Sequence, residues 1–345
     1  MTSMGARTDE KAKNMLNRPA NIRRVLRQLP HLLFAAIVIA FSPATAQDYP
    51  TRPIHIIVPY APGGVIDLTA RMLADRLGPS LRQTLIIENR VGGAGKVAAE
   101  FVSRAEPDGY TILYTSGADL ALLQGRPSAA EGIRNLTPIT SAVSPVGAIA
   151  TRSGLGLDSM EKLLAYAKSN PGKLTYGTAG FGSSQHLLGE YFKQQGYEML
   201  HVPFNGIAPA MAALAGGQID LAITNLASSL PLAADGRVKI LALPQSEPFE
   251  DAPDIPPITK AMPDFAFRRP FALYAYYGPP GLPRAIAAKL ADEIGKAVVT
   301  PEIKARLKAL SIAPTVTSPD EFAAMVQEIG ATFQTVIKSG NIKLE

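Results

Sequence analysis

The 345-residue chain contains no cysteine, and this single absence removes disulfide scaffolds, thiolate metal sites and cysteine nucleophiles together. It does not fix a compartment, since an exported protein can do without disulfides. Tryptophan is also missing, and the four histidines, His31, His55, His186 and His201, are too scattered along the chain for a recognisable zinc motif. Nucleotide signatures are incomplete. Gly92 to Val97 (GGAGKV) has Arg90 where a P-loop needs its first glycine and no Ser or Thr after Lys96. Gly180-Phe181-Gly182 would need a further glycine where Gln185 stands, with a suitably placed acidic residue beyond it. No G-x-S-x-G elbow occurs. What is present is 29 glycines, 29 prolines and 47% hydrophobic residues, a composition that excludes a coiled coil and suits two globular domains.

The net charge of +5 is concentrated at the front. Residues 1–46 hold seven basic side chains and two acidic ones, which leaves 27 of each sign in the remainder. The remainder is formally neutral, so no global positive field argues for nucleic acid as a partner. The front segment reads as a Sec-type signal peptide. A basic stretch through Arg27 runs into the apolar decapeptide Leu32 to Phe41, and Ala44-Thr45-Ala46 supplies a small-residue cleavage site. Ten apolar residues cover about half of the roughly 30 Å hydrocarbon layer, which disfavours a membrane anchor. Arg23-Arg24 fits twin-arginine export poorly, and Met15 would give the leader a more ordinary length. Cleavage after Ala46 leaves a periplasmic chain.

Beyond the leader, β-branched runs alternate with Gly-rich loops and amphipathic helices. Ile54 to Pro59 reads as a strand, Tyr60 to Gly64 as a loop and Asp67 to Leu77 as a helix. The pattern repeats with Thr84 to Glu88, Asn89 to Gly95 and Val97 to Ala105, then strand Tyr110 to Thr115. This alternation predicts a parallel sheet with helices on both faces. A second unit begins near residue 150. Asp158 and Glu161 read as a capping-box pair, followed by strand Leu174 to Gly177, a helix from Ser184, strand Met199 to Val202, a helix entered through Pro209, and strands Asp220 to Thr224 and Lys239 to Leu243. Phe271 to Tyr277 reads as a strand returning to the first unit, and helices from Pro283, Pro301 and Pro319 close the chain. Two α/β units crossed twice by the chain describe hinged lobes around a cleft.

Several stretches together resemble the receptors of tripartite tricarboxylate transporters, also called Bug receptors. They are YPTRPIHIIVPYAPGGVID (Tyr49 to Asp67), IIENRVGGAG (Ile86 to Gly95), EPDGYTIL (Glu106 to Leu113), NPGKLTYGTAGFGSSQHL (Asn170 to Leu187), HVPFNGIAPAMAALAGGQID (His201 to Asp220) and the terminal IKSGNIKLE. The resemblance implies an α/β two-lobed periplasmic solute-binding fold of type II-like form, with hinge strands between residues 47–148 plus 271–345 as one lobe and 149–270 as the other. It also implies a small organic carboxylate as ligand, transporter membrane subunits as partners and no cofactor or metal. Docking onto a sensor kinase is compatible with such a receptor and leaves no mark in the sequence. The chain departs from the family at Val91, where proline is usual, at Pro244-Gln245-Ser246, where a Thr-Ser pair is usual, and at Leu273, near the usual tryptophan.

The loop from Tyr60 to Asp67 joins a strand to a helix, so its backbone N–H groups and the helix N-terminus can face an anion. Carried over from the family, its ligand-contacting positions are Tyr60, Ala61, Gly63, Gly64 and Asp67. Read by itself, Gly63-Gly64 is equally a turn and Asp67 a helix N-cap. The opposite loop, Thr178 to Ser183, also precedes a helix, which makes Thr178, Gly180 and Ser183 candidates for the far end of the ligand. Ser183 also reads as an N-cap and His186 as a structural histidine. Ser116, Pro203, Phe204 and Asn225 each follow a strand, where cleft loops belong, while Asn89 and Arg90 read as fixing their own loop. A hydrolase or isomerase using Ser183 or Ser184 with His186 is the alternative, but neighbours on one helix start make a poor nucleophile–base pair. If the leader reading holds, N-terminal sequencing of the exported protein begins at Gln47. A membrane-retained product with residues 32–41 intact would show an anchor instead.

Overall fold

The computed structural model describes residues 49–267, 273–339 and 341–342. The leader read at residues 1–46, and Phe271 at the expected start of the return strand, lie outside the described residues. The first half of the chain runs β1 (Ile54–Val58), α1 (Val65–Leu81), β2 (Leu85–Asn89), α2 (Lys96–Ser103), β3 (Thr111–Ser116), α3 (Gly117–Gln124), α4 (Glu131–Arg134) and β4 (Thr137–Pro145). A second series follows: β5 (Gly147–Arg152), α5 (Met160–Ser169), β6 (Thr175–Thr178), α6 (Ser184–Gln194), β7 (Leu200–Pro203), α7 (Ile207–Ala215), β8 (Leu221–Asn225), α8 (Leu226–Ala234) and β9 (Val238–Ala242). The chain then returns through β10 (Tyr274–Gly278) and ends with α9 (Arg284–Val298), α10 (Pro301–Ala309), β11 (Ile312–Pro314) and α11 (Pro319–Ser339).

These strands form two sheets, ordered β11-β4-β10-β3-β1-β2 and β7-β6-β8-β5-β9. In the first, β1 pairs in parallel with β2 and β3. The expectation of a wholly parallel sheet is corrected by β10, which lies antiparallel between β3 and β4, and by β11, antiparallel to β4. Parallel neighbours need a crossover connection; β4 has one through α3 and α4 and shares the direction of β3, whereas β10 comes back from the second sheet and runs the other way. The second sheet is mixed for the same reason. Its β6 is parallel to β7 and β8, whereas β5, arriving directly from β4, is antiparallel to β8 and β9.

The outward crossing takes one residue. Pro145 pairs with Ile312 in the first sheet and Gly147 with Asn225 in the second, so Val146 alone switches sheets. A Cβ at Gly147 would lie 2.8 Å from Pro244 Cγ, so glycine here lets the segment after β9 pass close to the crossing.

The helix starts show which sequence signals act. At α5 the expected Asp158–Glu161 box is replaced by Ser159, whose hydroxyl accepts from Lys162 N–H. Asp158 instead pairs with the Lys162 ammonium at 2.7 Å, because a charged partner four residues on lies on the same helix face. A reciprocal box does form at α11, where Ser318 Oγ accepts from Glu321 N–H and the Glu321 carboxylate accepts from Ser318 N–H at 2.8 Å.

Helix α11 serves both cores. Phe322, fully buried, packs with Tyr277 and Leu273 on the first sheet's face, whereas Phe333 and Val336 join Leu163, Leu187 and Phe192 over the second. The Phe322 and Tyr277 rings lie 5.1 Å apart. Phe322→Ala is expected to lower stability by about 3–5 kcal/mol, the usual cost of a buried phenylalanine. Urea unfolding followed by circular dichroism reads this directly.

Candidate functional site

Both sheets send the C-terminal ends of their parallel strands toward one seam, where loops and helix starts of an α/β fold place their functional groups. Tyr60, Ala61 and Gly64 follow β1, Ser116 and Asp119 follow β3, Ala179 and Gln185 follow β6, Ile207 follows β7, and Asn225 ends β8. Together with Val65, Ile66 and Tyr274 they line a cavity of about 20 Å3, room for about one water molecule. Tyr274 belongs here because it pairs with Ser116 across the antiparallel β10–β3 register. No lysine, arginine or histidine is among the lining residues.

The seam is closed by direct bonds. Ala61 N–H donates to Asn205 O at 2.9 Å, and the Arg126 guanidinium donates to Gly182 O at 2.7 Å. Between them sits Asp119, 2% exposed, in the first turn of α3. Its Oδ1 accepts from Ser184 N–H, at the start of α6, at 2.7 Å. Its Oδ2 accepts a short bond from Tyr60 OH, and the Ser184 and Ser116 hydroxyls also act on the carboxyl. Burial pushes the Asp119 pKa up, opposed by these donors. The Tyr60 phenol is pushed well above its ordinary range by burial and then by the Asp119 charge.

The residues expected from the sequence separate into two groups. Tyr60, Ala61, Gly64, Ser116 and Asn225 line the cavity, and Gly64 is the N-cap of α1 with φ −75°. Ser116 and Asn225 cap α3 and α8 by accepting from Asp119 N–H and Ser228 N–H. Gly63, Asp67, Thr178, Gly180, Ser183, His186, Pro203 and Phe204 are not part of that lining. Asp67 is not the N-cap expected of it; Gly64 takes that place because the helix begins earlier. The Asp67 carboxylate accepts from Gly63 N–H at 3.0 Å, from Arg71 and from Asn89 Nδ2 at 2.9 Å. Burial acts to raise its pKa, but these bonds outweigh it and hold the carboxyl below the ordinary value. Asn89 also donates to Tyr60 O, so it fixes the neighbouring loop as well as its own.

Behind the second loop, Ser183 caps α6 by accepting from His186 N–H and donates its hydroxyl to Gly180 O at 2.8 Å. The His186 ring accepts from Gly182 N–H through Nδ1 at 3.0 Å and stacks on His201 with centroids 4.1 Å apart. Thr178 Oγ1 meets His201 Nε2 at 2.7 Å and pairs in register with Pro203, and Phe204 N–H donates to Thr178 O. Ser183 Oγ is engaged with backbone and the imidazole faces a different N–H, so this arrangement contains no serine–histidine hydrogen bond of the kind a nucleophile needs. Seven lining residues, Val65, Ile66, Asp119, Ala179, Gln185, Ile207 and Tyr274, are not among the candidates read from the sequence. The pattern Ser116-x-x-Asp119, a cap signature directly after a strand, was the available signal for one of them.

Residues 69–342 match the model of the tripartite tricarboxylate transporter family receptor. The chain belongs to that family. It is 30% identical over 317 residues to a UPF0065 protein of Bordetella bronchiseptica, covering 90% of this chain and 93% of that one. Among solved structures, an R. palustris protein with adipate aligns with a TM-score of 0.79 at 28% identity, over 86% of this chain and 99% of that one. The periplasmic binding protein BugD aligns with a TM-score of 0.77 at 26% identity, over 86% and 99%. The fold is accordingly the two-lobed α/β fold of periplasmic binding proteins, and the family consists of solute-binding receptors.

The stacked imidazoles carry a pH signature. Burial lowers the His186 pKa to about 3, helped by His201 and Arg126, and burial lowers His201 to about 4. Both rings are neutral in the fold, and the unfolded chain binds protons more readily. Their contribution is therefore complete above the ordinary histidine pKa near 6.5 and is lost as pH falls from there toward 4 and 3. Thermal melts between pH 7 and 4 should show a progressive fall. His186→Asn, which keeps an acceptor for Gly182 N–H without a titrating ring, should flatten it.

Proposed function

We propose that the chain is an exported receptor that captures a small organic carboxylate between its lobes and passes it, chemically unchanged, to the membrane subunits of a tripartite tricarboxylate transporter. The lobes follow the boundaries read from the sequence, 47–148 with 271–345 and 149–270, with the first boundary moved to Val146 because Gly147 and Ala148 already pair in the second sheet. The observation that carries this reading is the convergence of helix N-termini on a cavity with no basic side chain in its lining. Ala208 N–H, in the first turn of α7, lies 4.0 Å from where a Cβ on Gly64 would sit, so the starts of α1 and α7 face one another. Unpaired N–H groups at helix starts favour an anion by typically 0.3–1 kcal/mol per helix, and more where water is excluded. The adipate bound by the R. palustris relative supports the ligand class. A cavity of about 20 Å3 is too small for such a molecule. Uptake thus requires the lobes to part, breaking the Ala61–Asn205, Asp119–Ser184 and Arg126–Gly182 bonds.

Gly64 provides the test. Its φ is ordinary, and the nearest atom to a Cβ there is Ala61 O at 3.8 Å, so a side chain is compatible with folding while the branches of a valine would enter the cavity. In calorimetric titrations with a carboxylate panel, Gly64→Val should weaken binding about a hundredfold or more, roughly 2.7 kcal/mol. Arg90→Gln should change little, because Arg90 is spent on Glu88 and on the face of Phe101. Mass spectrometry of the recovered ligand should find it unaltered. A product whose formation stops in Ser183→Ala or His186→Ala would favour the hydrolase reading instead.

A further inference from the structure

Asp119 is an unusual resident of a site that binds carboxylates. It is 2% exposed and lines the cavity, yet no basic side chain lines that cavity with it. Its Oδ1 accepts from Ser184 N–H at the start of α6 and its Oδ2 from Tyr60 OH. Each carboxylate oxygen therefore already has a donor from the protein. The reverse also holds: Ser184 N–H and Tyr60 OH, the donors a ligand carboxylate would seek at this end, are already taken by a carboxylate of the protein itself. The other end, between the starts of α1 and α7, has no such internal occupant among the residues that line it. Asn225, 4% exposed, has its Oδ1 taken by Ser228 N–H. Its amide NH2 and the Tyr274 hydroxyl remain to meet an uncharged polar or apolar tail.

We propose that Asp119, which keeps its bond from Tyr60 within one half when the lobes part, holds the second carboxylate position, so that the cleft selects monocarboxylates with an uncharged far end over dicarboxylates. The proposal rests on the receptor reading above. A dicarboxylate entering this cleft would have to turn Asp119 away from Ser184 and Tyr60, leaving one of two buried carboxylates without its donors, which is costly. A monocarboxylate brings no second charge to that end and leaves the Tyr60 bond to Asp119 in place.

The test uses the whole chain, stripped of bound ligand by unfolding and refolding, and calorimetric titration with matched pairs: butyrate and succinate, hexanoate and adipate, benzoate and terephthalate. The monocarboxylate of the best-bound pair should bind at least about tenfold more tightly, equivalent to about 1.4 kcal/mol. Asp119→Gly, or Asp119→Ser if the glycine variant does not fold, empties the position and should narrow or invert that ratio. Asp119→Asn keeps an oxygen for Ser184 N–H and should preserve the ranking. Dicarboxylates binding the unaltered protein as tightly as their partners, or a ranking unchanged in folded Asp119→Gly or Asp119→Ser, would overturn the proposal while leaving the receptor reading intact. Failure of every carboxylate to bind any of the proteins would overturn both.

Discussion

A carboxylate removed from water must be met by donors, and the burial of Asp119 sets that requirement at the centre of this molecule. Its donors come from both lobes: Tyr60 from the loop after β1, and Ser184 from the start of α6 in the second sheet's half. One side chain thus ties the two halves at the point where the strand ends converge. The Arg126–Gly182 bond and the Ala61–Asn205 bond lie along the same seam. The cavity owes its small size to this closure, and its polarity to the helix starts that frame it.

The way the chain passes between sheets explains why those helix starts meet. Val146 alone makes the outward crossing, and the segment just after β9 runs close by at Gly147. There β8 ends at Asn225, paired with Gly147, while β10 begins at Tyr274, paired with Ser116. Loops after β1, β3, β6, β7 and β8 consequently open toward a common space. Helix α11, with Phe322 in one core and Phe333 in the other, ties the halves a second time, away from the cleft.

Around the cavity lining stands a layer of side chains that braces the two loops. Asp67 and Asn89 hold the first loop through Gly63 N–H and Tyr60 O. His186, His201, Thr178 and Ser183 hold the second through Gly182, Gly180 and each other. Polar residues concentrated in two loops look alike in a sequence whether they face a ligand or brace the backbone that does, because both roles require the same hydrogen-bonding groups.

Local chemistry in the sequence settled much of the strand and helix order, the glycine-bearing first loop and the proline starts of the last three helices, since these depend on neighbours a few residues apart, but it left β4, β5, β11, α3, α4 and α8 unread. It also carried the family motifs. It left the sheets' mixed sense unread, because strand direction depends on where the chain returns rather than on any local pattern. It placed Ser116 and Asn225 at strand ends but had no means of telling that they line the cavity while Thr178 and His186 do not. Asp119, Gln185, Ile207 and Tyr274 come from four separate segments. Only tertiary structure, by folding two sheets against one seam, decided that they share a cavity and that a carboxylate of the protein already occupies one end of it.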